Sequence, residues 1–473
     1  MAAARGETAG DLAIVLHSHM PYVEGFGTYP FGEEWLFDAV VRSYLPVLEV
    51  ARDLTMTVTP VLADQLEDRG AAARLREFLR EWRIGGAEAD LRDVPPELHP
   101  AVSSELERYE RALALLDAAA GDPLRPFREA AAAGRIALAA SAATHAVLPL
   151  VATRAGRRLQ IDAGLRSHRR RFGWGGGFWL PECAYAPGLE WALAEAGVGW
   201  FCVDQSAHLE DPLDALAPIA TAAGPVALPI DWEAISWLWA LDGYPSDPAH
   251  AQFDGKSLRG MRLWRIGGGA YDPDAAAAAA RRQAAELLAA AAARLRAYAE
   301  RRGRRGLLVF AIDTELLGHW WSEGVLWLRA VLDGAAAAGV RTVDLPTALA
   351  EHEPVERPLR ASSWGEGKDL HTWDSPPVAD LAWAARRLEL RLLRALGAGL
   401  DGDAAARAAR ELLAAQASDW AFLDARGEAG DYAFTRAAGH GEALLQAIES
   451  RYDTDPRMRS LAPDLSVAPL LEP

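Results

Sequence analysis

The chain has 473 residues, of which 51% are hydrophobic and 24% charged, so it can bury a large core and is not a disordered protein. Its 49 Lys and Arg against 66 Asp and Glu give a net charge of −17, which argues against broad binding to nucleic acids or anionic membranes. Cys183 and Cys202 are the only cysteines and cannot supply a disulfide framework, so we expect a cytoplasmic protein. The apolar run Leu12–Leu16 is too short for a secretory signal, and no apolar stretch is long enough for a membrane span.

Short apolar runs alternate with helical stretches along the first two-thirds of the chain. Apolar runs between Gly-marked turns indicate buried parallel strands. The predicted strands are Leu12–His17, Leu54–Val61, Ile136–Ala140, Phe178–Leu180, Trp200–Val203, Gly306–Ile312 and Val340–Leu345. Repeated βα units of this kind predict a doubly wound sheet or a barrel.

Helical patterns interrupt and then follow these strands. Residues 65–130 are rich in Ala, Leu, Glu and Arg and predict a helical insertion, and the alanine-rich segment 275–302 predicts one long helix. Beyond about residue 378 the periodicity is helical and no strand is convincing. We therefore predict an α/β domain over residues 1–355, a doubly wound sheet or a barrel that includes the insertion, and a helical domain over residues 356–473.

Ionisable residues cluster directly after the predicted strands. They are His17, His19, His145, Glu182, Asp204, Asp313 and Glu315. The carboxyl ends of the strands form the active face of parallel α/β barrels, so this clustering favours an enzyme. Glu182 follows Pro181, which ends a strand, and Trp179 stands nearby. A carboxylate that closes an apolar strand is costly unless it is paired or used, so either Asp313 or Glu315 is the candidate acid.

The histidines leave two kinds of site open. His17 and His19 share a face of an extended strand, and an HxH pair is common among zinc ligands. Together with His145 they could equally donate hydrogen bonds to sugar hydroxyls. The 17 tryptophans favour the sugar, because indole faces stack on pyranose rings, and His319 stands beside two of them. A metal-dependent deacetylase remains the competing class of enzyme.

Five stretches occur in a set order along the chain. They are HSHMPYV, SAATHAVLPL, GGFWLPECAYAPGLE, FAIDTELLGHWWSEG and SSWGEGKDLHTW. This order resembles the five sequence regions of glycoside hydrolase family 57, and the fragments LWRIGGGAYDP and ASDWAF are similar to its 1,4-α-glucan branching enzyme group. The resemblance covers residues 11–450 approximately. It implies an incomplete seven-stranded (β/α) barrel with a helical insertion and a C-terminal all-helical domain.

The resemblance also implies a retaining enzyme that cuts α-1,4 links of an α-glucan and forms α-1,6 branches. Glu182 matches the family nucleophile and Asp313 the general acid/base. With the residues noted above, the expected substrate-binding set is His17, His19, His145, Tyr29, Trp179, Trp264, His319, Trp364, Asp419 and Trp420. Neither a metal nor another cofactor is implied, and we expect a monomer or a weak homo-oligomer.

Two departures from the group pattern keep other functions open. Tyr29 stands where the group usually has Trp, and the segment between Glu182 and Asp313 is shorter than usual. Residues 231–248 should supply a loop that covers the site. Three aromatic residues are candidates for the role of that loop's usual tyrosine: Trp237, Trp239 and Tyr244. The alternatives are an α-amylase or 4-α-glucanotransferase of the same family, a metal-dependent polysaccharide deacetylase and a non-catalytic glucan-binding protein.

Overall fold

A computed structural model describes residues 8–24, 31–427, 429–450 and 460–472. The described strands are β1 (Gly10–Ser18), β2 (Leu54–Val58), β3 (Ile136–Ser141), β4 (Gly177–Trp179), β5 (Trp200–Val203), β6 (Ile219–Ala220), β7 (Val226–Pro229), β8 (Gly306–Asp313), β9 (Val340–Thr342) and β10 (Val355–Glu356). They form one sheet whose strands are mostly parallel.

Seven strands pair in parallel in the order β7-β5-β4-β3-β2-β1-β8. The strand β9 pairs with the start of β1, and β6 runs antiparallel to β7. In the described part of the chain β7 and β8 are not paired as strands. A single backbone hydrogen bond of 2.8 Å, from Asp231 N to Val309 O, crosses that gap. The expected incomplete seven-stranded barrel is therefore confirmed.

Helices fill the connections between the strands. Before β3 lie α1 (Glu33–Ala39), α2 (Leu45–Val50), α3 (Pro60–Glu67), α4 (Arg69–Glu77), α5 (Gly85–Asp93), α6 (His99–Ala118) and α7 (Arg125–Ala132). Between β3 and β10 lie α8 (Arg154–Phe172), α9 (Leu189–Glu195), α10 (Trp232–Trp239), α11 (Pro273–Arg302), α12 (Gly324–Gly334) and α13 (Leu345–Glu351). After β10 come α14 (Ala379–Gly397), α15 (Gly402–Ala415), α16 (Ser418–Arg426), α17 (Tyr432–Ser450) and α18 (Ala468–Leu471). None of the helices in the described ranges is long and apolar enough to cross a membrane.

Two strand predictions extended too far. The strand predicted over Leu54–Val61 ends at Val58, because Pro60 begins α3 at a position where proline is well suited to a helix. The strand predicted over Val340–Leu345 ends at Thr342. There Asp344 accepts a hydrogen bond of 2.8 Å from Thr347 N and caps α13, so the chain turns into a helix instead.

The helices after β10 pack directly on the barrel. The apolar faces of α14, α15 and α17 form one buried cluster with side chains of α8 and of the segments after β1 and β3. Many members are alanines of α15, whose small side chains let neighbouring helices approach closely. This packing brings the start of α16 against the carboxyl edge of the sheet. The exact bounds of the predicted domains stay a prediction.

Candidate active site

The carboxyl ends of β1 and β8 place two candidate side chains at one level. His17 of β1 is the register partner of Asp313 in β8 and of Thr57 in β2. Since parallel strands present their carboxyl ends at one edge, these side chains share the rim of the barrel. On the next strands, Ser141 of β3 is the register partner of Trp179 in β4. The strand-end residues therefore converge as the sequence predicts.

Three histidines form a compact stack at this rim. His17 Nε2 lies 2.9 Å from His145 Nε2, and the rings of His19 and His145 stack with centroids 4.1 Å apart. His17 also stacks on Trp179 at 4.7 Å and contacts Thr57 Oγ1 through Nδ1 at 2.5 Å. His145 holds a backbone φ of 60°, a left-handed conformation that is uncommon outside glycine and clusters at functional sites.

The three histidines differ in charge state. Burial lowers the pKa of His17 and of His145 well below the ordinary value, and the charge of His19 adds to this effect. Both rings are therefore neutral and can each donate and accept one hydrogen bond. Burial also disfavours the charged form of His19, but the carboxylates of Asp419, Glu315 and Glu182 outweigh it and raise the pKa. His19 is therefore the member of the stack that is protonated most readily.

Glu182 lies directly after β4 with donors on both carboxylate oxygens. Trp364 Nε1 donates to Glu182 Oε2 at 2.8 Å, and Ser418 Oγ donates to Glu182 Oε1 at 2.7 Å. Its backbone φ of 61° is left-handed, and its carbonyl accepts from Trp364 N at 2.9 Å. Burial raises the pKa of Glu182, while the two donated hydrogen bonds and the charge of His19 oppose the rise. The pKa of Glu182 is raised less than that of Asp313 at the end of β8, so Glu182 is the carboxyl group of the two that ionises more readily.

Asp313 has a different environment at the end of β8. No hydrogen bond from the described residues reaches its carboxyl group. Burial raises the pKa of Asp313 well above its ordinary value, and the charges of Glu315, Glu182 and Asp419 add to the rise. Asp313 is therefore the carboxyl group of the site that keeps its proton most readily.

Glu315 is the other acidic residue that the sequence left open as the acid. Its Oε1 accepts from His19 N at 3.0 Å and from the Tyr44 hydroxyl. Burial raises the pKa of Glu315 to about 7, and these hydrogen bonds limit the rise. The carboxylate is committed to these donors, whereas Asp313 is not.

The first turn of α16 supplies two polar side chains to the rim. Ser418 N donates to His145 O at 3.2 Å, and Ser418 Oγ contacts His145 Nδ1 at 2.8 Å as well as Glu182. Asp419 Oδ2 lies 3.0 Å from His19 Nε2. An acidic residue is also favoured at a helix N-terminus by the helix dipole. Sequence reasoning identified Asp419 but missed Ser418, whose only signal is its place beside Asp419.

The structure brings some of the predicted aromatic residues to the site and leaves others apart. Trp179 and Trp364 meet edge to face, with centroids 5.1 Å apart, beside His17 and Glu182. Trp264 lies between α10 and α11, forms an isolated antiparallel bridge with Ala270 and packs, half-buried, against the main core. Tyr29 lies outside the described residues.

Two further predicted residues have structural partners of their own. His319 Nδ1 lies 2.8 Å from Asp38 Oδ2, and its backbone N donates to Ser43 Oγ at 3.1 Å. Trp420 is only 2% exposed, and its indole N–H donates to Ala414 O at 2.7 Å. Neither ring is part of the histidine stack, and a role of either in glucan binding stays a prediction.

One group of donors at the rim has the composition of a metal site. Ligand atoms of His19, His145 and Asp419 all lie within 4.8 Å of one another. The ring nitrogens and the carboxylate in this group already have hydrogen-bond partners: His19 contacts Asp419, and His145 contacts His17 and Ser418. Two stacked imidazoles with a neighbouring carboxylate can hold a cation or offer hydrogen bonds to a polyol.

Two family models match consecutive parts of the chain. Residues 13–357 match glycosyl hydrolase family 57. Residues 382–462 match the C-terminal region of 1,4-alpha-glucan branching enzymes. The first match spans the barrel with its helical insertion, and the second spans helices of the C-terminal part.

Similar proteins agree with both models. A 1,4-alpha-glucan branching enzyme of Thermococcus kodakarensis is 33% identical over 91% of this chain and 72% of its own. The crystal structure of a branching enzyme of this family from Pyrococcus horikoshii superposes with a TM-score of 0.90 at 29% identity, over 98% and 97% of the two chains. That of the α-amylase AmyC from Thermotoga maritima gives 0.83 at 25% identity, over 98% of each chain. The chain therefore belongs to glycosyl hydrolase family 57.

Proposed function

We propose that this protein is a 1,4-α-glucan branching enzyme in which Glu182 is the nucleophile and Asp313 the general acid/base. The contrast between the two carboxyl groups carries the assignment. Glu182 receives hydrogen bonds from Trp364 and Ser418, whereas Asp313 is half-buried, receives none from the described residues and has its pKa raised well above the ordinary value. A retaining glycosidase needs one ionised and one protonated carboxyl group, and this pair supplies them.

The first half of the reaction uses each carboxyl group once. A Glu182 carboxylate oxygen attacks the anomeric carbon of a glucosyl unit and forms an ester as the α-1,4 bond breaks. Asp313 gives its proton to the departing 4-oxygen, so the shortened chain leaves as a neutral alcohol. The carboxylate that Asp313 becomes can then act as a base, and no external reactant is consumed in this half.

The second half decides which product forms. In branching, the 6-hydroxyl of an acceptor glucan attacks the anomeric carbon of the glucosyl ester, Asp313 takes the hydroxyl proton and the Glu182 carboxylate leaves that carbon. In hydrolysis, water takes the place of the acceptor. Branching therefore needs an acceptor surface and partial exclusion of water from the ester. The exposed indoles of Trp237 and Trp239 on α10 would supply the acceptor surface. They lie within residues 231–248, the segment that is predicted to cover the site.

The histidine stack would bind the sugar unit that reacts. The Nε2 atoms of neutral His17 and His145 contact each other at 2.9 Å, and each would turn to a ring hydroxyl when the sugar binds. Cationic His19 lowers the pKa of Glu182 through its charge and so helps to keep the nucleophile ionised. Asp419 fixes the imidazole of His19 through contacts of 3.0 and 3.1 Å. These roles explain why all three rings stand at the same edge as both carboxyl groups.

Incubation with amylose tests the proposal. The expected products carry new α-1,6 anomeric proton signals in the NMR spectrum, and debranching then releases short chains that chromatography can size. Glu182→Gln should abolish the new signals, whereas Glu110→Gln on the exposed face of α6 should not. Absence of α-1,6 linkages in the wild-type products would refute the branching activity.

An α-amylase is the second candidate function. The observation that favours it is the similarity to the α-amylase AmyC, at a TM-score of 0.83 over 98% of the chain. The two candidates use the same catalytic pair and differ in the acceptor. New reducing ends in excess of new α-1,6 linkages would select the amylase.

The remaining expectations concern the setting of the enzyme. The substrate would be an α-glucan such as amylose or a glycogen-like polysaccharide, and the protein would act as a monomer or a weak homo-oligomer. Cytoplasmic location is supported by two free, buried cysteines, Cys183 and Cys202. Light scattering at several concentrations measures the mass, and a concentration-independent dimer would contradict the expected state.

A further inference from the structure

The chain contains two lysines among 49 Lys and Arg residues, Lys256 and Lys368. Lys368 lies between β10 and α14, in the loop that carries Trp364. Its side chain is 17% exposed, and its backbone φ of 59° is left-handed. A strained backbone persists only where neighbouring contacts fix it. Arginine is the usual cation of this chain. A lysine here therefore indicates that the contacts at this position suit a compact ammonium with three donors better than a guanidinium.

The Lys368 ammonium joins three separate segments. Its Nζ lies 3.0 Å from Oδ2 of Asp204, a fully buried residue that directly follows β5. It also lies over the ring of Trp232, the first residue of α10. At 3.5 Å it donates to the backbone carbonyl of Trp364. A buried carboxylate is costly without a partner, so Lys368 and Asp204 stabilise each other's position.

The loop around Lys368 ends on Glu182. Within it Ser363 N donates to Lys368 O at 3.1 Å and Lys368 N donates to Gly365 O at 3.0 Å, which closes a tight turn. From that turn Trp364 gives two hydrogen bonds to Glu182: the backbone N to the carbonyl at 2.9 Å, and Nε1 to the carboxylate at 2.8 Å. A small displacement of the turn would therefore change the geometry of a charge-assisted hydrogen bond.

We propose that Lys368 is a positioning residue for the reaction. Its ion pair with Asp204 and its contact with Trp232 hold the Trp364 turn so that the indole N–H stays on the Glu182 carboxylate. The inference rests on the proposed nucleophilic role of Glu182. It also connects residues 231–248 to that carboxylate, because Trp232 lies at the beginning of this segment.

A double-mutant cycle tests whether Lys368 acts through Trp364. Lys368→Met and Trp364→Phe are each expected to lower kcat on amylose about ten-fold, with KM changed less than two-fold. The combined variant should lose no more of its kcat than either single variant, because both substitutions act on the same hydrogen bond, from Trp364 Nε1 to the Glu182 carboxylate. Losses that multiply in the combined variant, or a fall confined to KM, would overturn the proposal.

Indole NMR gives a readout that does not depend on activity. In protein labelled with ¹⁵N-tryptophan, the Trp364 signal is the one missing from Trp364→Phe. Lys368→Met should move this signal upfield, as expected when a charge-assisted hydrogen bond lengthens. Lys256→Met is the matched control, since Lys256 also lies over an aromatic ring, that of Phe253 at 4.5 Å, and it should leave the signal in place.

Asp204→Asn provides a second variant if Lys368→Met fails to fold. It removes the charge of the same ion pair from the other side and should give the same upfield shift. A signal that stays in place in every folded variant of this pair refutes the inference. If the wild-type enzyme makes no α-1,6 linkages, the branching function fails, but the NMR test of Lys368 remains decisive.

Discussion

The Ser418 hydroxyl donates a hydrogen bond of 2.7 Å to Oε1 of Glu182. The two residues are 236 positions apart, and they meet because α16 begins at the carboxyl edge of the sheet. With Trp364 on the other oxygen, both donors to this carboxylate come from the chain after β10. The helical C-terminal part therefore completes the site and does more than cover it.

Replacing Ser418 with Ala should impair Glu182, the proposed nucleophile. The loss of one hydrogen bond to a charged group corresponds to about 10- to 100-fold in kcat. Since this hydrogen bond lowers the pKa of Glu182, its loss raises that pKa, and the acidic limb of the pH–rate profile should move to higher pH. Steady-state kinetics against pH measure both effects. Ser104→Ala in α6 is the matched control, and an unchanged acidic limb in Ser418→Ala would contradict the assignment.

Glu315→Gln should move the alkaline limb of the pH–rate profile. The Glu315 carboxylate raises the pKa of Asp313, after burial itself, so an amide at this position lowers that pKa. Asp313 then loses its proton at lower pH, and the alkaline limb of kcat/KM should move to lower pH. Glu110→Gln, in solvent, should move neither limb. A Glu315→Gln variant with an unchanged alkaline limb would indicate that Asp313 is not the acid.

Metal ions should inhibit the enzyme and should not be required. The donors of His19, His145 and Asp419 can hold Zn²⁺, but a bound ion would occupy the proposed sugar site. We expect full activity after dialysis against a chelator and competitive inhibition by added Zn²⁺ that weakens in Asp419→Asn. Activity that disappears on chelation and returns with Zn²⁺ would instead support the deacetylase alternative.

Exposed indoles on α10 should govern the choice of acceptor. Trp237 and Trp239 are 39% and 48% exposed, whereas Tyr244 is 8% exposed and packs edge to face on Trp237. Trp239→Ala should lower the ratio of α-1,6 linkages to reducing ends by about two- to ten-fold, the worth of one aromatic contact. Trp191→Ala, at an indole on α9 that is 56% exposed, is the control. An unchanged ratio would remove α10 from the acceptor surface.

The periodicity of the sequence was sufficient for a mostly parallel α/β sheet, whereas the barrel was expected from the family resemblance and not all of its strands were predicted. Apolar runs such as Leu12–Leu16 are buried on both faces and predict parallel strands directly. The strand β7 was missed because its four residues, Val226–Pro229, end in a proline, a residue that is rare inside strands. Proline at the end of a strand costs no hydrogen bond there, so only tertiary context identifies it.

Residue type alone could not assign the aromatic and polar partners. His319 was predicted beside sugar from its tryptophan neighbours, and the structure adds a contact of its imidazole with Asp38, which precedes β2 in the chain. Trp420 follows Asp419 in sequence, but successive helical residues point in different directions, and its ring is buried. The contact of Ser418 with Glu182 depends on how α16 packs against the sheet, which the sequence pattern does not show. These are long-range contacts, which local patterns do not encode.

Trapping the covalent intermediate tests the catalytic pair most directly. In Asp313→Ala, a maltosyl fluoride can still form the ester, because fluoride leaves without a general acid, while its breakdown slows for lack of a base. Mass spectrometry of the digested protein should then find the sugar on the peptide that contains Glu182. Sugar attached to another carboxyl group, such as Glu315, or no adduct in a variant that still consumes the fluoride, would contradict the account.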